Sequence, residues 1–205
     1  MIREEAPDEQ SAIRAAWDSG DMKAAVTAVF RTYGSEVFGF LVALHKDVDD
    51  ADDAFSMFGE RLWRTFPSFE WKCSVRTWAY LLARHASANV RRGEARRGRH
   101  AVPLSEVPEA LELATRIRTE TLTAMRTEKR SALQRMRDEL PEEDRMLLVL
   151  RVDRQLAWRD VARVLSTSGE TDGDRALDQN AARLRKRFQI VRDRLRALGK
   201  ERGLI

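Results

Sequence analysis

The chain is short of the residues that interrupt or cross-link a polypeptide: its 205 residues include one cysteine, five prolines and ten glycines. The lone Cys73 excludes an intramolecular disulfide. No apolar run reaches the roughly 20 residues that a membrane-spanning helix needs, and no signal peptide is recognisable, so we expect a cytoplasmic location without membrane insertion. Because helix breakers are few and no long β-branched alternating run occurs, the sequence predicts an all-α fold with short connections.

Acidic and basic residues are unevenly distributed along the chain. Residues 1–90 hold 10 Lys/Arg against 14 Asp/Glu, whereas residues 91–205 hold 27 against 19. The small formal net charge of +4 is therefore the balance of an acidic N-terminal part and a basic C-terminal part. Such a division suits a protein that meets a basic partner with one end and a polyanion with the other.

Apolar periodicity predicts two small helical domains joined by a flexible linker. The expected segments are an N-terminal tail at 1–20, a first domain at 21–95, a linker with a probable helix at 96–130 and a second domain at 131–205. In the tail, residues 13–17 are expected to pack as a short helical turn. Ser74 is a candidate N-cap for the last helix of the first domain, and residues 166–179 are predicted to form a polar loop.

The sequence contains no recognisable catalytic set, metal site or cofactor motif. His45, His85 and His100 are far apart, Cys73 has no partner at metal-ligand spacing, and no Gly-rich phosphate loop is present. We therefore expect a protein that is not an enzyme and that carries neither a metal nor a cofactor.

Exposed rings and cations in the first domain form a candidate site for unpaired bases, which stack on aromatic rings while cations follow the backbone. The residues concerned are Phe69, Trp71, Lys72, Arg76, Tyr80 and Arg84. The alternative is that these rings fill the core between helices, and for Trp63 and Trp78, which fall on apolar faces, we favour that alternative.

The last predicted helix is strongly basic and follows another helix after a turn. Helix, turn and basic helix is the arrangement that enters a DNA groove, where Lys and Arg neutralise phosphates. A solvated cationic face is the alternative, and the turn between the two helices is longer than the usual one.

Four sequence segments together resemble the sigma-70 family, and specifically its extracytoplasmic-function (ECF) type. Residues 51–64 (ADDAFSMFGERLWR), followed by Phe69 and residues 74–85 (SVRTWAYLLARH), resemble region 2 of these factors. Residues 140–151 (LPEEDRMLLVLR) and 158–165 (WRDVARVL) resemble their region 4, a helix-turn-helix domain. The resemblance implies a bacterial sigma factor that binds core RNA polymerase and directs promoter-specific transcription initiation.

The resemblance also implies residue roles. Docking on the clamp helices of the polymerase would involve Asp49, Asp50, Asp52, Asp53, Arg61 and Trp63, with Asp53 the best match. Recognition of the minus-ten element, including capture of a flipped base by the loop 66–73, would involve Phe69, Trp71, Lys72, Arg76, Tyr80, Arg84, His85 and Asn89. Recognition of the minus-thirty-five element would involve Gln179, Asn180, Arg183, Arg185, Lys186 and Arg187. The expected partners are core RNA polymerase, promoter DNA and a possible anti-sigma factor.

The chain departs from the family pattern in two places. Ser56-Met57 replaces the Gln-Glu pair usual in the family, which removes one carboxylate from the expected docking face. Between Leu165 and Leu184 there are about a dozen residues more than a tight turn needs, and the insertion falls at 169–178.

Two other functional classes remain open on the sequence. One is a stand-alone helix-turn-helix regulator that binds DNA as a dimer and never docks on polymerase. The other is a helical interaction module whose basic end binds an acidic protein or a membrane. Copurification with core polymerase distinguishes the first from a sigma factor, and promoter-specific transcription eliminates the second.

Overall fold

A computed structural model describes residues 7–45, 47–93, 106–127, 132–166 and 173–204. Within these ranges the chain forms nine α-helices and no strand, so the all-α prediction is confirmed there. None of these helices is long and apolar enough to cross a membrane. The chain divides into two compact units, Arg3–Ala124 (the first unit) and Met125–Ile205 (the second unit).

Five α-helices belong to the first unit or begin in it. They are α1 (Pro7–Asp18), α2 (Met22–Leu44), α3 (Val48–Thr65), α4 (Val75–Arg91) and α5 (Pro108–Thr127), with a 3₁₀ turn at Phe66–Ser68. The starts of α2, α3 and α4 are capped by the side chains of Asp21, Asp47 and Ser74, each of which accepts a hydrogen bond from a first-turn N–H. The predicted Ser74 cap is confirmed.

Aromatic rings fill the core of the first unit. Phe30 of α2 meets Phe55 and Phe58 of α3 at 5.8 and 5.7 Å between ring centroids. On the other side, Phe40 lies edge-on to Tyr80 of α4 at 5.3 Å. The apolar spacing predicted for α2 and α3 therefore corresponds to the faces by which these helices pack.

Two segments predicted to be loosely attached pack against the first unit. Pro7–Asp18 forms a helix of three turns instead of a loose tail, because Ile13 is fully buried and the Trp17 indole N–H donates to the Phe66 carbonyl at 2.9 Å. In the predicted linker, Ala110 and Ala114 of α5 are buried. α5 lies within the stretch predicted to be a linker, and its residues up to Ala124 belong to the first unit.

The second unit contains four helices. They are α6 (Ala132–Asp138), α7 (Glu142–Leu148), which continues in a π-helical turn at Val149–Asp153, α8 (Trp158–Leu165) and α9 (Asp174–Glu201). Leu140, Leu148 and Val191 form one apolar cluster, and Ala162, Leu177 and Ala181 form another. Because Leu177 is fully buried, α9 begins at Asp174, inside the stretch predicted to be a loop. Residues 167–172 of that stretch lie outside the described residues.

Candidate functional site

The first turns of α3 carry a cluster of carboxylates. Asp49, Asp50 and Asp53 are exposed, as is the Asp47 cap, and carboxylates in this position are stabilised by the helix macrodipole. Asp52 is half-buried and its pKa is raised, first by burial and then by repulsion from Asp53 and Asp49, against a lowering effect of Arg118. The result is a negative surface suited to a basic partner.

The two remaining predicted docking residues lie on different sides of α3. Trp63 is eleven residues after Asp52, which is about three helical turns, so the two share a face with Ser56. The Trp63 indole N–H donates to the Glu106 carboxylate at 3.3 Å. Arg61 is exposed and lies close enough to His85 of α4 to lower its pKa. Asp49 and Asp53 lie between these two sides, so the predicted docking residues spread over about half of the circumference of α3.

The aromatic rings of the loop between α3 and α4 pack on one another and on side chains of α1 and α4. The Phe69 ring is buried, with its centroid 4.6 Å from that of Trp78 and 5.0 Å from that of Trp71. The other neighbours of Trp71 come from α1: Trp17 lies edge-on at 5.6 Å, and the Arg14 guanidinium carbon lies 4.2 Å from the ring centroid. In this conformation Phe69 is buried and Trp71 is half-exposed, and their contact with bases stays a prediction.

The backbone of this loop is held in a conformation that L-residues rarely adopt. Trp71 has a φ of +58°, and its indole nitrogen is buried without a hydrogen-bond partner among the described residues. Lys72, the next residue, is exposed and pairs with Glu70. Of the predicted loop residues, Lys72 is thus the one whose charge faces solvent.

Arg76 and Tyr80, both predicted to contact DNA, are structural residues in this fold. The Arg76 guanidinium donates to the Glu36 carboxylate of α2 at 2.9 Å, and the Tyr80 hydroxyl donates to the same oxygen at 3.1 Å. Tyr80 is completely buried and Arg76 nearly so. Both side chains are buried in this structure, and their contact with the minus-ten element stays a prediction.

The second half of α4 carries the cations that do reach the surface. Arg84, His85 and Asn89 are half-exposed and Arg92 is exposed; Arg92 donates to the Asn89 side chain. Burial lowers the pKa of His85 to about 4, and the positive charges of Arg61, Arg84 and Arg92 contribute in that order. The imidazole is thus neutral at pH 7, and the positive charges around it form a surface that attracts phosphate.

In the second unit, the predicted minus-thirty-five residues lie along the first half of α9. Gln179, Arg183, Arg185 and Lys186 are exposed, and Asn180 is half-exposed. Arg187 differs, because its guanidinium forms ion pairs with Glu143 and Asp144 of α7, both at 2.6 Å. These hydrogen bonds and charges raise the pKa of Arg187, although burial opposes the change. Arg187 thus connects α7 and α9 in this structure while its side chain stays 41% exposed, and its contact with the minus-thirty-five element stays a prediction.

Sequence reasoning missed several residues that shape these surfaces. Arg14 and Trp17 cover Trp71, Glu36 holds Arg76, and Arg118 pairs with Asp52. Their partners are distant in the sequence, so no local pattern indicates them. Arg92, at the C-terminal end of α4, is a further exposed cation of this surface.

Comparison with known proteins yields one family match. Residues 29–97 match the family model described as Sigma-70 region 2. The match covers about a third of the chain and includes α3, the aromatic loop and α4. It supports a sigma-70 family sigma factor, a class that acts in polymerase-directed transcription. Neither the curated proteins nor the solved structures contain a significant match.

Proposed function

We propose that this protein is an ECF-type sigma factor that binds core RNA polymerase and directs promoter-specific transcription initiation in the bacterial cytoplasm. The observation that carries the proposal is the sigma-70 region 2 match across α3 and α4. In that segment, exposed carboxylates and a cationic surface lie on neighbouring helices, as expected for a protein that meets polymerase with one helix and DNA with another. In this role the chain is not an enzyme and requires no cofactor.

The first unit would act as region 2. Asp49, Asp50 and Asp53 would meet a basic part of the polymerase, while Arg84, His85 and Asn89 would lie along the DNA near the minus-ten element. Base capture by the loop 66–73 requires that Arg14 or Trp17 give access to the Trp71 ring, because both now cover it. Loop opening would therefore be part of promoter melting in this protein.

The second unit would act as region 4 and read the minus-thirty-five element with α9. Its exposed cations Arg183, Arg185 and Lys186 would neutralise phosphates, and Gln179 and Asn180 have the polar amides that reach base edges. α9 begins at Asp174, so residues 174–178 of the insertion at 169–178 are helical. An anti-sigma protein that binds either unit is a further expected partner.

The test is transcription in vitro with core polymerase and a genomic promoter pool. We expect discrete promoter-dependent transcripts with the wild-type chain and a strong reduction with Asp53→Ala, since Asp53 is exposed and belongs to the acidic start of α3. Glu112→Ala is the matched control, because Glu112 is an exposed carboxylate on α5.

The same experiment addresses the rival functions. A stand-alone helix-turn-helix regulator would bind DNA but would neither copurify with core polymerase nor support transcription by it. A helical interaction module would neither copurify with core polymerase nor support transcription, and it would not bind promoter DNA. Absence of both copurification and promoter-specific transcripts would refute the proposed function.

A further inference from the structure

The first half of α5 packs on the first unit through small and branched apolar side chains. Val107, Ala110, Ala114 and Ile117 recur at three- and four-residue spacing and are all buried. Ile117 of this stripe lies against Gly34 of α2, while Glu109, Glu112 and Arg116 are exposed. The segment 106–118 is therefore an attached element and not a free linker.

α2 has a glycine, Gly34, at the point where Ile117 of α5 packs against it. Glycine inside a helix costs about 1 kcal/mol relative to alanine, and Gly34 lies in the middle of α2. A Cβ atom at this position would come within 2.5 Å of the Ile117 δ-methyl group. The missing side chain thus leaves the space that Ile117 fills.

Arg118 is the polar counterpart of this contact. Its guanidinium pairs with Asp52, donates to the Ser56 hydroxyl at 2.8 Å and lies 5.4 Å from the centre of the Phe55 ring. The three partners come from one turn of α3. The small side chain of Ser56 leaves room for Arg118 to approach α3.

A second polar contact joins the same two elements farther along α3. Glu106 accepts a hydrogen bond from the Trp63 indole. Asp52, Ser56 and Trp63 form one stripe of α3, which we call the Asp52 face, and the segment 106–118 touches it at both ends. Asp52 and Trp63 are also two of the residues expected to dock on polymerase.

We propose that the segment 106–118 covers the Asp52 face in the free chain and that core polymerase must displace it in order to dock. This inference rests on the proposed function and adds a regulatory contact to it. Arg118 supplies the positive charge that a basic surface of the polymerase would otherwise bring to Asp52. The two cations compete for one carboxylate, so binding of one excludes the other.

The expected size of the effect follows from population arithmetic. A protein whose binding-competent state is a minor population binds with an affinity reduced by that fraction. The contact consists of one ion pair, two hydrogen bonds and a short apolar stripe, which is small enough to open reversibly. Loss of the Arg118 contacts should therefore tighten polymerase binding about fivefold or more.

The first experiment measures the dissociation constant of the full chain for core polymerase. We expect Arg118→Ala to bind about fivefold tighter than wild type. Arg116→Ala is the matched control, because Arg116 is exposed on the same helix and pairs with Glu120 of that helix. Equal binding of Arg118→Ala and wild type, or weaker binding of the variant, would overturn the inference and leave the proposed function standing. If no variant binds core polymerase, the proposed function itself fails.

The second experiment uses wild-type protein and so does not depend on the folding of a variant. Amide hydrogen exchange of residues 108–118 should accelerate when core polymerase is bound, while the buried part of α2 keeps its protection. Protection of 108–118 that is unchanged in the complex would mean that α5 stays in place and that the inference is wrong. In the free chain, Glu106→Gln should also accelerate amide exchange of residues 108–118. The acceleration should be smaller than that caused by polymerase binding to the wild type, because the substitution weakens the Trp63 contact alone.

Discussion

Arg76 of α4 and Glu36 of α2 form an ion pair that is almost entirely enclosed by the first unit. The guanidinium Nη2 and Nε atoms lie 2.8 and 2.9 Å from the Glu36 Oε2 atom, and the Arg76 side chain is 7% exposed. The Tyr80 hydroxyl donates to the same oxygen. A residue that the family resemblance assigns to DNA thus connects two core helices.

Replacement of Arg76 by alanine should lower the free energy of unfolding by about 3 kcal/mol, because the Glu36 carboxylate would be left enclosed without its cation. Urea unfolding followed by far-ultraviolet circular dichroism measures this change. Lys72→Ala is the control: the Lys72–Glu70 pair is solvent-exposed, and its loss should cost less than about 0.5 kcal/mol. Reduced DNA affinity of Arg76→Ala with unchanged stability would restore the DNA-contact role and contradict our assignment.

The effect of Gly34→Ala on the free energy of unfolding should depend on the side chain at position 117. In the wild-type chain the new methyl group gains helix propensity but forces the Ile117 δ-methyl to move. In an Ile117→Ala background the obstacle is absent, so Gly34→Ala should be more favourable there by about 1 kcal/mol. A thermodynamic cycle of the four proteins measures the difference, and a coupling energy near zero would show that Gly34 and Ile117 are not in contact.

His85 should make the first unit less stable in acid. Its pKa falls from the usual 6.5 to about 4 because burial and the neighbouring arginines disfavour imidazolium. The unfolded chain therefore binds a proton near pH 6.5, whereas the folded chain does so near pH 4. The stabilisation is complete above pH 6.5 and is lost as the pH falls towards 4.

Two measurements check this sign. The unfolding free energy of the wild type should decline between pH 6.5 and 4 more steeply than that of His85→Gln. Titration of the His85 ring by nuclear magnetic resonance should give a midpoint well below 6.5, which rises when single-stranded DNA places phosphates beside Arg84 and Arg92. A midpoint near 6.5 without DNA would contradict the predicted environment.

In the second unit, substitution of Arg187 should lower stability, whereas substitution of Lys186 should weaken DNA binding. Arg187→Ala leaves Asp144, whose side chain is 13% exposed, without its cation. Protection of α7 and α9 amides should fall by the equivalent of about 1–2 kcal/mol. Lys186→Ala should leave this protection unchanged but weaken DNA binding and reduce the salt slope by about 1. The reverse pattern would return Arg187 to the DNA interface.

The sequence predicted the helices of this protein well because helix formation is governed by local rules. Apolar periodicity indicated helices, and in α2 the regularly spaced Val26, Val29 and Val37 are buried; Ser74 marked the start of α4. The spacing of Ile13 and Trp17 was also readable, but its extent was underestimated, because a short helix at a chain end is stable only when it packs. The first turns of α9 were missed for the same reason: Leu177 is helical because it is buried in the second unit.

The candidate site was less predictable, since a charged or aromatic residue in a sequence carries no sign of its exposure. Phe69, Trp71 and Tyr80 are the kinds of residue that stack on bases, yet the rings of Phe69 and Tyr80 are buried, and that of Trp71 is flanked by Phe69, Trp17 and Arg14. Asp49 and Asp53 are exposed, as expected of a cluster of carboxylates, because burial of unpaired charges is costly. The sequence therefore indicated exposure only where several charged residues lie close together, because such a cluster is too costly to bury.

By itself, the sequence determined an all-α fold class, the cap at Ser74, and the division into an acidic N-terminal part and a basic C-terminal part, because periodicity, caps and charge counts involve neighbours along the chain. Only the tertiary structure decided which cations remain available to a partner. Arg76, Arg118 and Arg187 pair with carboxylates 40, 66 and 43 residues away. Those pairings exist because helix packing brings the partners within hydrogen-bond distance, and a buried charge is stable only when such a partner is present.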